Sequence, residues 1–174
     1  MAIIKRGART PLDFDLLAAR DLQKAFYTRF KTSYEILVFN TYIKGWAECD
    51  LLGIKPSGYV EEIEIKLSRP DFKADFKKNI IIDGVEYKKH DLLASKSASP
   101  VNYYWFMAPE GLLAEDEIPS YAGLIELTQW GRASIRKNAP LLHRTKANTE
   151  FKYMCVRQQC WRVWQNILDP VYKE

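Results

Sequence analysis

Residues 61–78 read "EEIEIKLSRPDFKADFKK", and the fold class turns on this stretch. Side chains alternate across a β-strand. In "YVEEIEIKL" (59–67), Glu62, Glu64 and Lys66 therefore share one face, while Ile63, Ile65 and Leu67 share the other and predict a core-facing side. A helix is predicted directly after Leu67. Ser68 stands three residues before Asp71, the spacing of a capping box, and Pro70 is tolerated in a first helical turn. Along "DFKADFKK", Phe72 and Phe76 fall on one face and Lys73 and Lys77 on another. A strand that feeds straight into a capped helix points to a mixed α/β architecture.

The neighbouring segments extend this pattern. "PLDFDLLAARDLQKAFYTRF" (11–30) places Leu16, Leu17, Leu22, Ala25, Phe26 and Phe30 at helical spacings. "SYEILVFNTYI" (33–43) and "AECDLLGI" (47–54) are rich in strand formers, and Pro56, Ser57 and Gly58 supply a turn into the strand at 59–67. "NYYWFMAP" (102–109) and "YAGLIELT" (121–128) predict two further strands. "EFKYMCVRQQCWRVWQNIL" (150–168) predicts a terminal helix with Met154, Trp161, Trp164 and Leu168 near one face, the tryptophans in the core, with stacking on exposed bases as the alternative. The sum is one α/β domain over 1–174, with a central mixed sheet flanked by helices in the order α-β-β-β-α-β and an added C-terminal helix at 150–168.

Composition narrows the function classes. A chain of 174 residues, 47% hydrophobic and 13% aromatic, can bury a substantial core. A net charge of +4 is compatible with an anionic partner. Cys49, Cys155 and Cys160 are odd in number and form no CxxC pair, which argues against a zinc site or a disulfide framework and for a reducing compartment. No apolar run reaches the roughly 18–20 residues of a membrane span, and "MAIIKRGART" (1–10) lacks a signal-peptide apolar region. The expected location is cytoplasmic, with no membrane partner. No Walker A loop, GxGxxG or Ser/His/Asp order is present, so no nucleotide cofactor is expected.

The polar face of 59–67 can carry chemistry when a second strand contributes to it. Asp50 is separated from Glu64 by a 13-residue stretch containing the turn, so the two strands are expected to be hairpin neighbours. Asp50, Glu64 and Lys66 then meet in one small volume. Two carboxylates suit a hard divalent cation such as Mg²⁺, which takes one or two of them together with waters and phosphate oxygens. The backbone carbonyl of Ile65 could complete the coordination, and a lysine one repeat along the strand could orient a water or stabilise a phosphoryl transition state.

"ECDLLGI" followed by "EIEIK" resembles the D…(D/E)xK signature of the PD-(D/E)XK, or restriction-endonuclease-like, nuclease superfamily. "LSRPDFKADFKK", "KKHDLLASKSASPVNYYWFMAPEGL" and "IPSYAGLIEL" are similar to the segments that follow the signature in a bacterial and phage branch. The resemblance covers roughly residues 12–128. It implies a restriction-endonuclease-like core and a Mg²⁺-dependent nuclease, with Mn²⁺ as a substitute, acting on DNA. Asp50 and Glu64 would hold the metal with Ile65, and Lys66 would be the catalytic lysine. Many members add an acidic residue from the first helix or strand. Glu35 is the candidate here, with Asp15 and Asp21 as competitors.

Ser68, Arg69, Lys73, Lys77, Lys88, Lys89 and His90 are the candidate DNA contacts, joined by Lys78, Arg157 and Arg162. A solvated charge run and a structural histidine are the competing readings of these residues. Glu115, Asp116 and Glu117 would repel DNA and are expected to face away from it. A non-cleaving DNA-binding or DNA-repair accessory module of the same fold is the alternative function, and a homodimer is left open. A domain whose Glu/Lys strand is merely solvated is the third reading.

Overall fold

The computed structural model describes residues 10–96 and 99–168, so the reading of residues 1–9 lies outside the described part. After a 3-10 turn at Phe14–Leu16, helix α1 (Ala19–Phe30) leads into strands β1 (Ile36–Tyr42), β2 (Glu48–Ile54) and β3 (Val60–Ile65). Helix α2 (Arg69–Asp75), a hairpin of β4 (Asn79–Ile82) and β5 (Val85–Lys88), and helix α3 (Lys89–Ser95) follow. Strands β6 (Tyr103–Pro109), β7 (Ala122–Leu127) and β8 (Ala133–Lys137) then precede helix α4 (Thr149–Leu168). The main sheet runs β1-β2-β3-β6-β7-β8. It is mixed, with β3, β6 and β7 parallel to one another and the other pairings antiparallel.

Each face of the sheet is covered. On one side, Leu22, Ala25 and Phe26 of α1 pack against Leu51, Ile63, Ile65, Trp105, Met107, Ile125 and Leu127. On the other, Phe72, Ile80, Leu93, Leu142 and Cys155 pack against Leu52, Ile54, Val60, Tyr104, Phe106 and Leu124. Successive strand residues alternate between these two cores, as the pleat requires. Glu62, Glu64 and Lys66 therefore lie on the side of α2 and α3, opposite α1.

Local signals explain the boundaries. The Ser68 hydroxyl accepts the Asp71 N–H at 3.2 Å, and Asp71 answers by accepting the Leu67 N–H, which starts α2 as the spacing predicts. Phe72 is buried with its ring edge-on to Phe76, whereas Lys73 and Lys77 are exposed. In the turn between β4 and β5, Asp83 and Gly84 both have positive φ, a conformation that Asp-Gly adopts readily in two-residue hairpins. This hairpin, helix α3 and strand β8 have no counterpart among the elements expected from the sequence.

Several expectations need correction. β3 ends at Ile65, so Leu67 is exposed rather than core-facing. Leu16 and Leu17 precede α1 instead of belonging to it, and Leu16 is largely exposed. The inward side of α4 is Phe151, Met154 and Cys155, continued by Gln158, Gln159 and Arg162, whose side chains bond the outer backbone of edge strand β1 at Tyr42, Phe39 and Asn40. Trp161 and Trp164 point outward and are more than half exposed, because the helix spends its inner face on capping a strand edge. Among the described residues, no helix is long and apolar enough to cross a membrane.

Candidate functional site

The β2–β3 ladder stops at Leu51–Ile63, and Asp50 is the reason. Its carboxylate accepts the Ile65 N–H at 2.8 Å, in the place where the register would put the Cys49 carbonyl. The Asp50 carbonyl, on the β1 side of the strand, accepts the Gln23 amide of α1 at 3.0 Å. The same amide bonds Asn40, which sits at positive φ where the β1–β2 register skips a pair. The end of β3 is held from the far side, where the Lys66 N–H bonds the Met107 carbonyl at 2.8 Å. Beyond Leu51 the two strands thus exchange ladder bonds for side-chain bonds, and an open cleft of about 720 Å³ begins there. Asp50, Glu64, Ile65 and Lys66 all line it, with Asp71, Asp75 and Lys78 on the opposing wall.

The polar face of β3 is not a solvated one. Glu61, Glu62, Glu64 and Lys66 are each at most 3% exposed. Glu61 lies on the α1 side, where it accepts the Tyr34 hydroxyl at 2.5 Å and pairs with Lys55 at 2.6 Å. Glu62 accepts the Trp46 indole N–H at 2.8 Å and the Lys89 ammonium at 2.6 Å. Glu64 receives three ammonium groups: Lys89 at 3.1 Å on one oxygen, and Lys78 at 2.7 Å and Lys66 at 3.2 Å on the other.

Asp75 is the acidic residue that the sequence reading does not single out. One of its oxygens accepts Lys66 at 2.7 Å and Lys78 at 2.6 Å. The other accepts Tyr104 at 2.9 Å and pairs with His90 Nε2 at 2.8 Å. His90 Nδ1 in turn lies 2.7 Å from the Tyr121 hydroxyl. The clue in the sequence is the position of Asp75 between Phe72 and Phe76 on the buried stripe of α2. An aspartate there must be paired to be buried at all.

The charges respond to this packing. Burial opposes ionisation of Glu64 and Asp75 repels it, yet Lys89, Lys78 and Lys66 hold its carboxyl down to about 2. Asp75 is held well below the usual range, because the His90 hydrogen bond and the two lysines outweigh burial. Asp50 goes the other way. Burial and the neighbouring Glu64 raise it, against the Ile65 N–H, Lys66 and Lys78. Glu62 is raised chiefly by burial, and the pull of Lys89 only partly offsets this.

The candidate residues divide into three groups. Asp50, Glu64, Ile65 and Lys66 come together at the cleft. Glu35 does not join them: its backbone N–H bonds the Ile54 carbonyl at the other end of the β1–β2 hairpin, and its carboxylate pairs with Lys152 at 2.7 Å. Of the competitors, Asp21 caps the first turn of α1 through the Ala18 N–H, and Asp15 is exposed in the preceding turn. Among the nucleic-acid candidates, Lys73, Lys77 and Lys88 are exposed, and Ser68 is half-buried in its cap. Arg69 is exposed but bonds Glu117 and the Leu112 carbonyl, which brings the acidic turn at Glu115–Glu117 against the start of α2. Lys89 is fully buried and His90 nearly so. Both belong to the ion-pair network, where the reach to a DNA phosphate is blocked.

The donor set suits a hard divalent cation. The charge of Glu64 raises the cost of ionising Asp50, and a pair of carboxylates completed by waters is the usual protein share of a Mg²⁺ site. Among the described residues, no group of three or more His, Cys, Asp or Glu is disposed to hold a metal. Any such ion would therefore rest on this pair and on backbone or solvent oxygens, and Glu64 would have to exchange a lysine for it.

No protein-family model and no curated protein matches the chain. Among solved structures, the SPO1766 protein of unknown function from Silicibacter pomeroyi is similar, with a TM-score of 0.62 and 20% sequence identity over 92% of this chain and 97% of that one. At this identity the likeness is one of fold, and it extends over nearly the whole of both chains.

Proposed function

We propose that this chain is a metal-dependent nuclease with a restriction-endonuclease-like core, hydrolysing DNA phosphodiester bonds at the cleft between β2 and α2. One observation carries the reading. Asp50 and the Glu64/Lys66 pair, remote in sequence, line one open cleft in which a side chain has replaced the strand ladder. A bound Mg²⁺ or Mn²⁺ would lower the pKa of a coordinated water and neutralise charge on the phosphoryl group. Asp50 and Glu64 would supply the anionic oxygens for that ion, and the Ile65 carbonyl would complete the set. Lys66 is held between Glu64 and Asp75, which fixes its ammonium where it can donate to the attacking water or to a phosphate oxygen. Lys73, Lys77 and Lys88 are free to meet the DNA backbone, where contacts of this kind give salt-dependent affinity.

The occupancy of both Glu64 oxygens by lysines favours a second reading, a DNA-binding or DNA-repair accessory module that does not cut. Incubating the protein with single-stranded, duplex, branched and RNA substrates, with Mg²⁺, Mn²⁺ or EDTA, separates the two. Cleavage that needs the metal and is lost by at least a hundredfold in Asp50→Asn and Lys66→Ala is expected. DNA binding that persists in EDTA with no cleavage of any substrate would establish the accessory module instead. Cleavage by either variant at the parent rate would show that the site lies elsewhere.

A further inference from the structure

Three ammonium groups neutralise Glu64, and they differ in their freedom to leave. Lys89 is fully buried, pinned between Glu62 and Glu64 and seated over the rings of Trp46 and Tyr104. Lys66 is 3% exposed and tied to Asp75. Lys78 alone of the three reaches solvent, with 37% of its side chain exposed. It follows the end of α2 and lines the cleft directly. Its ammonium bridges Glu64 at 2.7 Å and Asp75 at 2.6 Å, so it covers the Glu64 oxygen that it shares with Lys66. Any divalent cation that uses that oxygen must displace something, and Lys78 is the group whose departure leaves the core undisturbed.

We propose that Lys78 is an exchangeable internal counter-ion. In the metal-free protein its ammonium occupies the Glu64 carboxylate, a divalent cation replaces it there, and the released side chain turns to the phosphate of the bound nucleic acid. The exchange keeps Glu64 neutralised in both states, which avoids the cost of an unpaired buried charge. Asp75 retains Lys66, His90 and Tyr104 throughout, so it tolerates the loss. The inference rests on the metal-dependent reading of the site and assigns to it a residue that the D…ExK pattern does not include.

Mn²⁺ binding, followed by electron paramagnetic resonance, tests this without any cleavage. Lys78→Met keeps the aliphatic stem and removes the charge, and Lys78→Gln serves should the first variant fold poorly. Lys44→Met is the control, because Lys44 is exposed in the β1–β2 turn and its loss changes net charge by the same amount. The expected result is Mn²⁺ binding roughly tenfold tighter in Lys78→Met, the scale of one close and half-exposed charge pair. Lys44→Met should stay within about twofold of the parent. In Ca²⁺, the affinity of Lys78→Met for DNA should fall several-fold. Equal Mn²⁺ affinity in the Lys78 and Lys44 variants overturns the exchange while leaving the metal site standing. Tighter Mn²⁺ binding with unchanged DNA affinity overturns the turn toward phosphate. Failure of every form to bind Mn²⁺ overturns the exchange and the metal site together.

Discussion

Replacing Lys89 by methionine would strip one fully buried ammonium from between two buried carboxylates. The structure assigns the consequence unequally. Glu64 keeps Lys66 and Lys78, whereas Glu62 keeps two neutral donors, the Trp46 indole N–H and the Cys49 thiol, and no cation among the described residues. The variant therefore leaves one uncompensated carboxylate, at 0% exposure, and breaking a buried pair in this way costs about 3–5 kcal/mol. Against a total stability on the order of 5–15 kcal/mol, that is a large share. In urea followed by far-ultraviolet circular dichroism, with a slope of about 2 kcal/mol per molar, the midpoint should fall by roughly 2 M. Adding Glu62→Gln to Lys89→Met removes the orphaned charge and should return most of the loss. The deficit should also shrink at pH 5 relative to pH 8, because Glu62 can escape by taking up a proton. A loss below about 1 kcal/mol, or a double variant no better than the single one, would refute the network and return Lys89 to the surface.

Acid should weaken the protein in a defined window. Glu64 and Asp75 have folded-state pKa values below their ordinary ones, so their stabilisation is present above about pH 4.5 and is lost as pH falls. For Glu64 the loss runs from its usual 4.5 down to about 2 and amounts to about 3 kcal/mol. Thermal melts between pH 5 and pH 2 should record a steep decline that Glu64→Gln flattens, and an unchanged slope in that variant would count against the assignment. Glu35→Ala should lower stability by less than about 1 kcal/mol, since its pair with Lys152 is exposed. Any metal-dependent cleavage should survive Glu35→Ala unchanged, and a large loss of activity would restore Glu35 to the site.

Much of the scaffold was legible because its signals are local. The alternation in 59–67, the Ser68 cap and the Phe72/Phe76 stripe concern residues within one or two turns of each other, where propensity and periodicity act directly. The hairpin at Asn79–Lys88 is legible in principle from Asp83-Gly84 between short apolar runs, although no element was expected there. Trp161 and Trp164 show where periodicity misleads. An apolar stripe on a helix says that one face is water-averse, and it is silent on which face the rest of the molecule takes. Here the glutamines and Arg162 took the inward side, because the open edge of β1 offers carbonyls rather than an apolar surface.

The site divides along the same line. The order of residues determined which carboxylates and lysine could share a strand face, and it placed Asp50 one hairpin away from Glu64. Only the tertiary structure decided that Asp50 would stop the ladder, that Glu35 would lie at the wrong end of the hairpin, and that Lys89 would be interior. It also brought in Asp75, Lys78 and His90, which come from a helix and segments with no strand register to the signature. Buried charge is the physical reason. A carboxylate such as Glu64 can remain ionised inside the protein only when cations reach it from several elements at once, and that requirement is met in space, by residues whose spacing along the chain carries no pattern.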